Sequence, residues 1–287
     1  MNKFIIFFIM FITILLSGCS TQNAKTGTIT SGGTNGVIIE SFGPVISTVE
    51  PGDTTEITAI IKNVGGAEAK NIKVELYGLG DWNPKMIEPP PNSLSPTDIS
   101  RNIQGESSSV TWEVTAPKYK TGIDNQEFEM RVYYTYSTSA LATIKVASEN
   151  YIKNFQNPEE RQSQIDQLGV KMSKPTDGPI SVSISSSSKV IKPESNILRV
   201  IIDIQNIGSG YLLDNQINVK VFSEGRSVSC SPEGNIRLLQ GKSRQLRCSI
   251  HVNLESGWDN VPIQVELENY RYWVSATSSI SALPTEV

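Results

Sequence analysis

Residues able to perform acid–base, nucleophilic or metal chemistry are few and scattered in this sequence. It has one histidine, His251, and three cysteines. His251 falls between Ile250 and Val252 in an apolar alternation, which predicts that its side chain faces solvent. The sequence has no G-x-S-x-G, H-E-x-x-H, P-loop or G-x-G-x-x-G motif. We therefore predict no enzyme activity, no catalytic residue and no cofactor.

Acidic residues next to turns are the other candidates for chemistry. Carboxylates at such positions commonly bond their own backbone, which explains them without a metal. No D-x-[DN]-x-[DN]-G calcium loop is present. We predict no metal ligands, and a calcium site assembled from separate loops stays open as the alternative. The acidic residues concerned are Asp81, Asp124, Asp214 and Asp259.

The first residues have the pattern of a secretory signal. Lys3 precedes a 13-residue apolar run, Phe4–Leu16, that ends in small residues,. The run is short for a membrane span, which takes about 20 apolar residues, and an uncleaved signal anchor is the alternative. Leu16–Cys19 resembles the lipobox of prokaryotic lipoproteins. The resemblance implies that residues 1–18 are removed, that Cys19 carries the lipid, and that the rest lies outside the cytoplasmic membrane.

Two cysteines remain if Cys19 is lipidated. Cys230 and Cys248 are 18 residues apart, and an even pair in an oxidising compartment predicts a disulfide. Zinc would need four ligands at close spacing, and a redox pair would be C-x-x-C, so we disfavour both.

The net charge of the chain limits the classes of partner that it can bind. The formal net charge is −4, and removal of residues 1–18 takes away Lys3 and leaves 24 basic against 29 acidic residues, or −5. A mildly acidic chain without a basic patch argues against nucleic acid and against flat docking on anionic lipid.

After a polar tether (residues 19–36), the chain alternates apolar and polar residues, as half-buried strands do. Turn residues separate these segments, which predicts antiparallel sandwiches. The inward positions that we predict are Ile57, Ala59, Ile61, Ile72, Val74, Leu76, Val110, Trp112, Val114, Phe128, Met130, Val132, Tyr134, Tyr136, Leu198, Val200, Ile202, Ile204, Ile217, Val219, Val221, Leu246, Cys248, Ile250, Val252, Ile263, Val265 and Leu267.

The sequence contains an internal repeat. Four blocks recur in the same order at offsets of 135 to 143 residues. The clearest pairs are Ile61–Gly65 with Ile204–Gly208, and Tyr134–Tyr136 with Tyr270–Tyr272. The alignment also places Trp112 opposite Cys248. We interpret these as two ways of filling one core position, with the disulfide stabilising the second repeat alone.

The Asn-x-Gly turn, the Gln104–Ser107 step into Val110–Trp112, and the Tyr133–Tyr136 ending resemble a known family. They are similar to the CARDB-like and S-layer-associated immunoglobulin-like domains of archaeal and bacterial envelope proteins. The Tyr133–Tyr136 ending is particularly similar to the archaeal versions. The resemblance implies an all-β fold of two tandem immunoglobulin-like sandwiches. The second repeat departs from it in lacking a tryptophan at the Trp112 position.

The repeats set the predicted domains: 37–148 and 180–287, joined by a linker at 149–179. Within the linker, Asn157 as N-cap, Pro158 at the first helical position and Gly169 after the end predict a short helix.

One loop is the best candidate for partner binding. Trp82 begins a proline-rich segment, Gly78–Gln104, and long loops carry function more often than scaffold does. We predict that Trp82 and Pro89, Pro90 and Pro91 contact a partner. Trp258, in contrast, aligns with Ile123 and is predicted to pack within a loop.

These features together predict a non-catalytic, lipid-anchored protein of the cell surface or periplasm. It would contact an envelope or S-layer protein or a glycan. The alternatives are an accessory subunit of an envelope transport, secretion or pilus machine, an envelope-polymer hydrolase that no motif supports, and homotypic pairing through edge strands.

Overall fold

The computed structural model describes residues 36–118, 124–172 and 175–284. The predicted signal peptide, Cys19 and the tether up to residue 35 lie outside the described residues. Within them the chain is all-β, and the predicted alternation is confirmed: every inward position named above is buried or packed against the core. Ile57, Ala59 and Ile61, for example, are each 0% exposed.

The described ranges contain eighteen strands, two short α-helices and a 3-10 turn. The strands are β1 (Val37–Pro44), β2 (Thr48–Val49), β3 (Thr54–Asn63), β4 (Ala69–Tyr77), β5 (Asn83–Glu88), β6 (Ser93–Leu94), β7 (Ser107–Thr115), β8 (Asp124–Ser148), β9 (Gly169–Met172), β10 (Ile180–Ser186), β11 (Val190–Ile191), β12 (Ile197–Asn206), β13 (Tyr211–Leu212), β14 (Gln216–Phe222), β15 (Val228–Ser231), β16 (Gly234–Arg237), β17 (Ser243–His251) and β18 (Trp258–Ala282). The helices are α1 (Glu149–Lys153) and α2 (Pro158–Asp166), and the 3-10 turn is Ile99–Arg101.

Three sheets form among the described residues. The first outer sheet has the order β1-β3-β7-β5, and the second outer sheet has the order β10-β12-β17-β15. The third, which we call the shared sheet, follows the path β16-β14-β18-β8-β4-β6, with β2, β9, β11 and β13 added beside it. Even-numbered side chains of β8 are buried from Phe128 to Val146. Both outer sheets therefore pack on one face of the shared sheet, and the other face, which we call the open face, is turned to solvent.

The strand order is that of the immunoglobulin fold, in which strands A, B, E and D face strands C, F and G. In the first sandwich, β1, β3, β7 and β5 take the positions A, B, E and D, while β4 and the first half of β8 take C and F. The second sandwich repeats this with β10, β12, β17, β15, β14 and the first half of β18. The predicted fold class is thus confirmed.

The G positions are exchanged between the repeats. β8 and β18 are each 25 residues long and pair antiparallel along their full length, from Asp124 opposite Ala282 to Ala147 opposite Trp258. The second half of β18 is therefore the G strand of the first sandwich, and the second half of β8 is the G strand of the second. The chain around Ser137 contains no Asn-Gly or similar turn that would fold strand F back on itself, so the strand continues straight.

Because of this exchange, the two predicted domain ranges do not correspond to the two sandwiches. Residues 37–148 and 180–287 each mark one sequence repeat, but each sandwich takes strands from both ranges. One continuous core cluster includes residues of both repeats. The reason is that period-2 alternation fixes which side of a strand is buried and does not identify the strand's partner.

Four tyrosines lie where the two sandwiches meet. The ring of Tyr134 is 6.0 Å from that of Tyr136 and 5.7 Å from that of Tyr272, and Tyr136 is 6.1 Å from Tyr270. The Tyr136 hydroxyl donates to the carbonyl of Asp177 (3.0 Å). The repeated Tyr-x-Tyr block therefore forms the joint between the repeats.

The buried tyrosines predict an alkaline unfolding transition. Burial raises the pKa of Tyr134, Tyr270 and Tyr272 above the usual value of 10.0, and that of Tyr136 to about 12. The unfolded chain ionises near pH 10 while the folded chain does not, so the stability from these neutral phenols is complete below pH 10 and is lost as the pH rises through the folded values. We expect the unfolding free energy to fall above about pH 10. The absorbance of the last four tyrosinates would appear only together with loss of near-ultraviolet circular dichroism, and ionisation of all the tyrosines before unfolding would contradict the assignment.

The repeated Asn-x-Gly block closes the turn after strand B. Asn63 is 0% exposed, and its amide donates to the carbonyls of Ala67 (2.8 Å) and Leu94 (3.0 Å) while its oxygen accepts from the Gly65 amide (3.0 Å). In the second repeat, Asn206 donates to the Gly210 carbonyl (3.0 Å).

Asn63→Ala should therefore destabilise the protein by about 2 kcal/mol, because two buried hydrogen bonds and one part-buried hydrogen bond to the backbone are lost,. Asn235→Ala, on an exposed position of β16, serves as the matched control and should change little. Denaturant unfolding of both variants measures the difference. Equal stability of the two variants would show that the turn does not depend on the side chain.

The linker helix is confirmed in α2. The side chain of Asn157 accepts from the Glu159 amide (2.9 Å), Pro158 begins the helix, and Gly169 follows with φ of +140°. The sequence did not predict α1 or β9. β9 adds to β8, while Ile152 of α1 packs with Ala147.

Candidate functional site

The predicted disulfide is present. Cys230 and Cys248 lie opposite each other on β15 and β17, with an S–S distance of 2.04 Å. Cys248 lies between Val200 and Cys230 in the second outer sheet, as Trp112 lies between Ile57 and Met86 in the first. The two residues therefore occupy equivalent core positions, which agrees with the repeat alignment.

Trp82 does not lie where partner binding would require it. Its side chain is 3% exposed and belongs to the core, and its indole nitrogen has no hydrogen-bond partner in the described part of the chain. The reason is a tight turn, in which the Trp82 amide donates to the Leu79 carbonyl (3.1 Å) and directs the ring inward. Pro89 is exposed and the next two prolines are half-buried, so the structure does not bring the predicted loop residues together around an accessible tryptophan.

The prediction for Trp258 was wrong. The residue begins strand β18, and its side chain is 52% exposed. The Lys145 ammonium lies 4.9 Å from the centre of its ring. A strand position on the open face explains the exposure, where a loop position was expected.

The chemical candidates of the sequence are also dispersed. His251 is exposed at the end of β17. Asp259 pairs with Arg226 (2.7 Å), and Asp214 pairs with Arg271. Across residues 36–118, 124–172 and 175–284, no three His, Cys, Asp or Glu side chains are grouped to hold a metal ion. No helix in these same ranges is long and apolar enough to span a membrane.

The open face carries a group of aromatic side chains that sequence reasoning missed. We call it the aromatic face and define it as Tyr77, Arg131, Tyr133, Tyr211 and Trp273. Tyr133 of β8 is opposite Trp273 of β18, which is opposite Tyr211 of β13. The ring centres of Tyr133 and Trp273 are 6.3 Å apart, and those of Tyr211 and Trp273 are 5.0 Å apart.

Arg131 holds two of the rings in place. Its guanidinium carbon lies 4.7 Å from the ring centre of Tyr77 and 4.9 Å from that of Trp273, which are cation–π distances. The hydroxyls of Tyr77 and Tyr133 are 3.1 Å apart and share a hydrogen bond. The rings are thus ordered by contacts among themselves and by the strands beneath them.

The charges around the rings are paired. Arg131 bonds Glu129 at 2.8 Å, Lys73 pairs with Glu75, and Arg271 pairs with Asp214. The hydrogen bond from Arg131 lowers the pKa of Glu129, and the one from Lys73 lowers the pKa of Glu75.

A groove of about 370 Å³ lies beside the rings. Its walls include Lys73, Glu75, Tyr133, Leu213 and Arg271. This volume is at the lower end of the range for small-molecule sites, about 300–1,000 Å³. The groove and the rings together form the candidate binding surface.

A sequence signal for this surface existed in the strand pattern. Tyr133 occupies a solvent-side position between Val132 and Tyr134, where alternation predicts a polar residue. The repeat provides an internal comparison, because its alignment equates Tyr133 with Asn269 and Trp273 with Ser137. The fold therefore accommodates small or polar residues at the matching positions, and the aromatic side chains are not needed to close it.

The fold and this surface define an all-β protein made of two immunoglobulin-like sandwiches, with a disulfide inside the second outer sheet and an aromatic face on the shared sheet. No family model and no curated protein sequence matches the chain. The resemblance to CARDB-like domains therefore stays a prediction.

Solved structures with partial similarity include a protease and two adhesins. The secreted serine protease VesC from Vibrio cholerae is 11% identical over 85% of this chain and 50% of its own, with a TM-score of 0.23. The adhesin InvE from Yersinia pseudotuberculosis is 8% identical over 86% and 58% (TM-score 0.18), and the collagen adhesin CNA from S. aureus is 10% identical over 88% and 93% (TM-score 0.15). The chain thus spans half of VesC and just over half of InvE. These TM-scores do not establish a common fold.

Proposed function

We propose that this chain is a non-catalytic binding protein of the cell envelope, anchored by lipid on Cys19 and contacting its partner through the aromatic face. The observation that carries the proposal is the row of Tyr133, Trp273 and Tyr211 on the open face, where Tyr211 is 59% exposed and the other two are half-buried, although the fold does not need aromatic residues there. Tyrosine, tryptophan and arginine are the residues enriched at binding hot spots.

Location outside the cytoplasmic membrane is supported by two features. The N-terminal pattern ending at Cys19 resembles a lipoprotein signal. The Cys230–Cys248 disulfide agrees with an oxidising compartment,. Fully extended, the 17 residues from Ser20 to Gly36 would reach about 58 Å, so the tether would let the open face move clear of the membrane.

Cys19→Ser should release the protein from the membrane fraction, because stable attachment depends on the acyl chains. Fractionation of cells expressing the wild type and the variant measures this. If the variant stayed in the membrane fraction to the same extent as the wild type, the apolar run Phe4–Leu16 would be the anchor instead.

Site-specific crosslinking in intact cells tests the binding surface. A photo-reactive residue at position 211 samples the aromatic face, and one at position 56, exposed on the first outer sheet, is the matched control. We expect position 211 to capture one dominant envelope component and position 56 to capture none. Equal capture from both positions, or none from position 211, would refute the aromatic face as the contact surface.

A further inference from the structure

One edge of β18 lacks a strand partner among the described residues. On one side, β8 pairs with β18 along its length. On the other side, β14, β13 and β2 pair only with Gln264–Glu268, Tyr272–Trp273 and Ser281–Ala282. The stretch Val274–Ile280 between them, which we call the free edge, pairs with β8 alone.

The free edge directs hydrogen-bonding groups away from β8. The Arg271 carbonyl and the Ser281 amide bond to chain segments on this outer side, at 2.9 and 2.8 Å. Alternate residues of an antiparallel strand direct their N–H and C=O groups to the same side, so those of Ser275, Thr277 and Ser279 face the outer side too. Proteins commonly protect such an edge with charged residues or proline, and the free edge has neither. It is therefore able to accept another strand.

In the second sandwich the matching edge is covered. β9 pairs antiparallel with Ala142–Lys145 of β8 and packs apolar side chains against the core. Tyr134 and Tyr270 are 136 residues apart in the repeat alignment, and the same offset equates Ala142–Lys145 with Ser278–Ser281. This range overlaps the free edge, so the described part of the first sandwich differs from the second in lacking a strand here.

The sequence before β1 resembles the sequence before β10. Residues 27–36 are GTITSGGTNG and residues 169–178 are GVKMSKPTDG, with four identical positions and Asn in place of Asp at a fifth. The block that contains β9 therefore has a counterpart in the first repeat, and residues 27–30 match β9 itself.

The two blocks also enter their sandwiches alike. The carbonyl of Gly36, just before β1, accepts from the Val64 amide (2.8 Å). The carbonyl of Pro179, just before β10, accepts from the Ile207 amide (2.9 Å). Pro179 makes the second block one residue longer. Residues 27–30 and β9 thus precede their sandwiches by the same length of chain to within one residue.

We propose that residues 27–30 bind to the free edge as an antiparallel strand, in the way that β9 binds to β8. Threonine and isoleucine, which supply three of these four residues, favour strands. The added backbone hydrogen bonds satisfy the outer groups of the free edge, as in other cases of strand addition. This inference goes beyond the proposed function, and its failure would leave the binding role of the aromatic face untouched.

Docking of this segment shortens the free part of the tether. Only the seven residues Ser20–Thr26 then separate Cys19 from the fold, a reach of about 24 Å. With the lipid on Cys19, the first sandwich is held close to the membrane. This consequence alone rests on the proposed anchor.

Residue-resolved hydrogen–deuterium exchange of the full-length protein in detergent tests the proposal. The test variant carries Thr28→Pro and Ile29→Pro, because one of two consecutive strand residues must direct its N–H to β18 and proline has none. The matched control carries Thr21→Pro and Gln22→Pro, which lie before the block that matches the β9 region.

We expect the amides of Ser275, Thr277 and Ser279 to exchange slowly in the wild type. In the test variant they should exchange about tenfold faster, because they lose their acceptors and open to water. The control variant should exchange like the wild type.

Two further measurements support the comparison. Val170→Pro with Lys171→Pro, in β9, should accelerate exchange at Ala142–Lys145 and shows the size of the effect where the pairing is described. Exchange in β3 should stay unchanged in the test variant, which shows that the first sandwich remains folded.

Rapid exchange of the free edge in the wild type would overturn the proposal, because the edge would then be open. Equal acceleration in the test and control variants would overturn it as well, since the effect would not belong to residues 27–30. Slow exchange that the test variant leaves unchanged would also refute it. Dependence of that slow exchange on protein concentration would then assign the edge to a strand of a second copy, and independence would assign it to another part of the chain.

Discussion

A chain that ends at Asn269 should fail to fold its first sandwich, although every residue of the first repeat is still present. The deletion removes the second half of β18, whose inward side chains from Tyr270 to Ala282 are 0–8% exposed. These side chains cover the core of the first sandwich, where Phe42 packs edge-on against Phe128 (5.2 Å). Without strand G, that core and one edge of β8 would be open to water, and a domain marginally stable by about 5–15 kcal/mol does not survive such a loss.

Near-ultraviolet circular dichroism and limited proteolysis measure the outcome. We expect both signals of tertiary structure to be lost over residues 37–148. A chain that ends at Pro284 is the control and should be indistinguishable from the wild type. If residues 37–148 expressed alone gave a protease-resistant monomer, strand exchange would not be required for folding.

The converse experiment keeps both strands and cuts the connection. A protease site placed in segment 154–157 between α1 and α2, where every residue except the half-buried Phe155 is exposed, lets cleavage break the chain between the repeats. We expect the two fragments to stay together through gel filtration, because β8 and β18 still complete both sandwiches. Fragments that separated without denaturant would indicate independent domains.

The second large effect concerns the disulfide. Reduction, or Cys230→Ala with Cys248→Ala, should lower the unfolding free energy by about 3 kcal/mol, the chain-entropy value for a loop of this size. The sequence alone suggested that only the second repeat would be affected. Because both sandwiches share β8 and β18, we now expect the whole protein to unfold in one transition that shifts to lower temperature.

Differential scanning calorimetry with and without reductant tests this expectation. Met86→Ala is the matched control, since Met86 occupies the position of Cys230 in the first sandwich and is 39% exposed. It should shift the transition much less. Two separate transitions, of which reductant moves only one, would show that the sandwiches unfold independently despite the shared strands.

Sequence reasoning succeeded where the determining interactions are local or periodic. Alternation fixed the buried side of each predicted strand, because side chains on a strand face opposite sides of the sheet. The capping residues Asn157 and Pro158 fixed the start of α2 for the same local reason. The repeated Asn63 and Asn206 indicated a shared turn, although the sequence did not reveal their buried hydrogen bonds.

Features that depend on contacts between distant parts of the chain could not be predicted from the sequence. The pattern of β8 is the same whether its second half returns to its own sandwich or enters the other, so only tertiary structure distinguishes the two. The aromatic face depends on four strands, β4, β8, β13 and β18, that are far apart in sequence. Trp82 was misplaced because a single aromatic residue in a loop carries no periodicity to indicate its burial.

The strand exchange also has a consequence for inheritance. In an ordinary tandem array, a gene can gain or lose one repeat and still encode intact domains. Here deletion of either repeat removes strands from both sandwiches, so neither repeat can be lost alone. Each repeat is retained because the other sandwich needs its strand. The residues on the open face do not serve that need and are free to diverge. The aromatic pair Tyr133 and Trp273 and the small or polar pair Asn269 and Ser137 at the matching positions fit such a divergence.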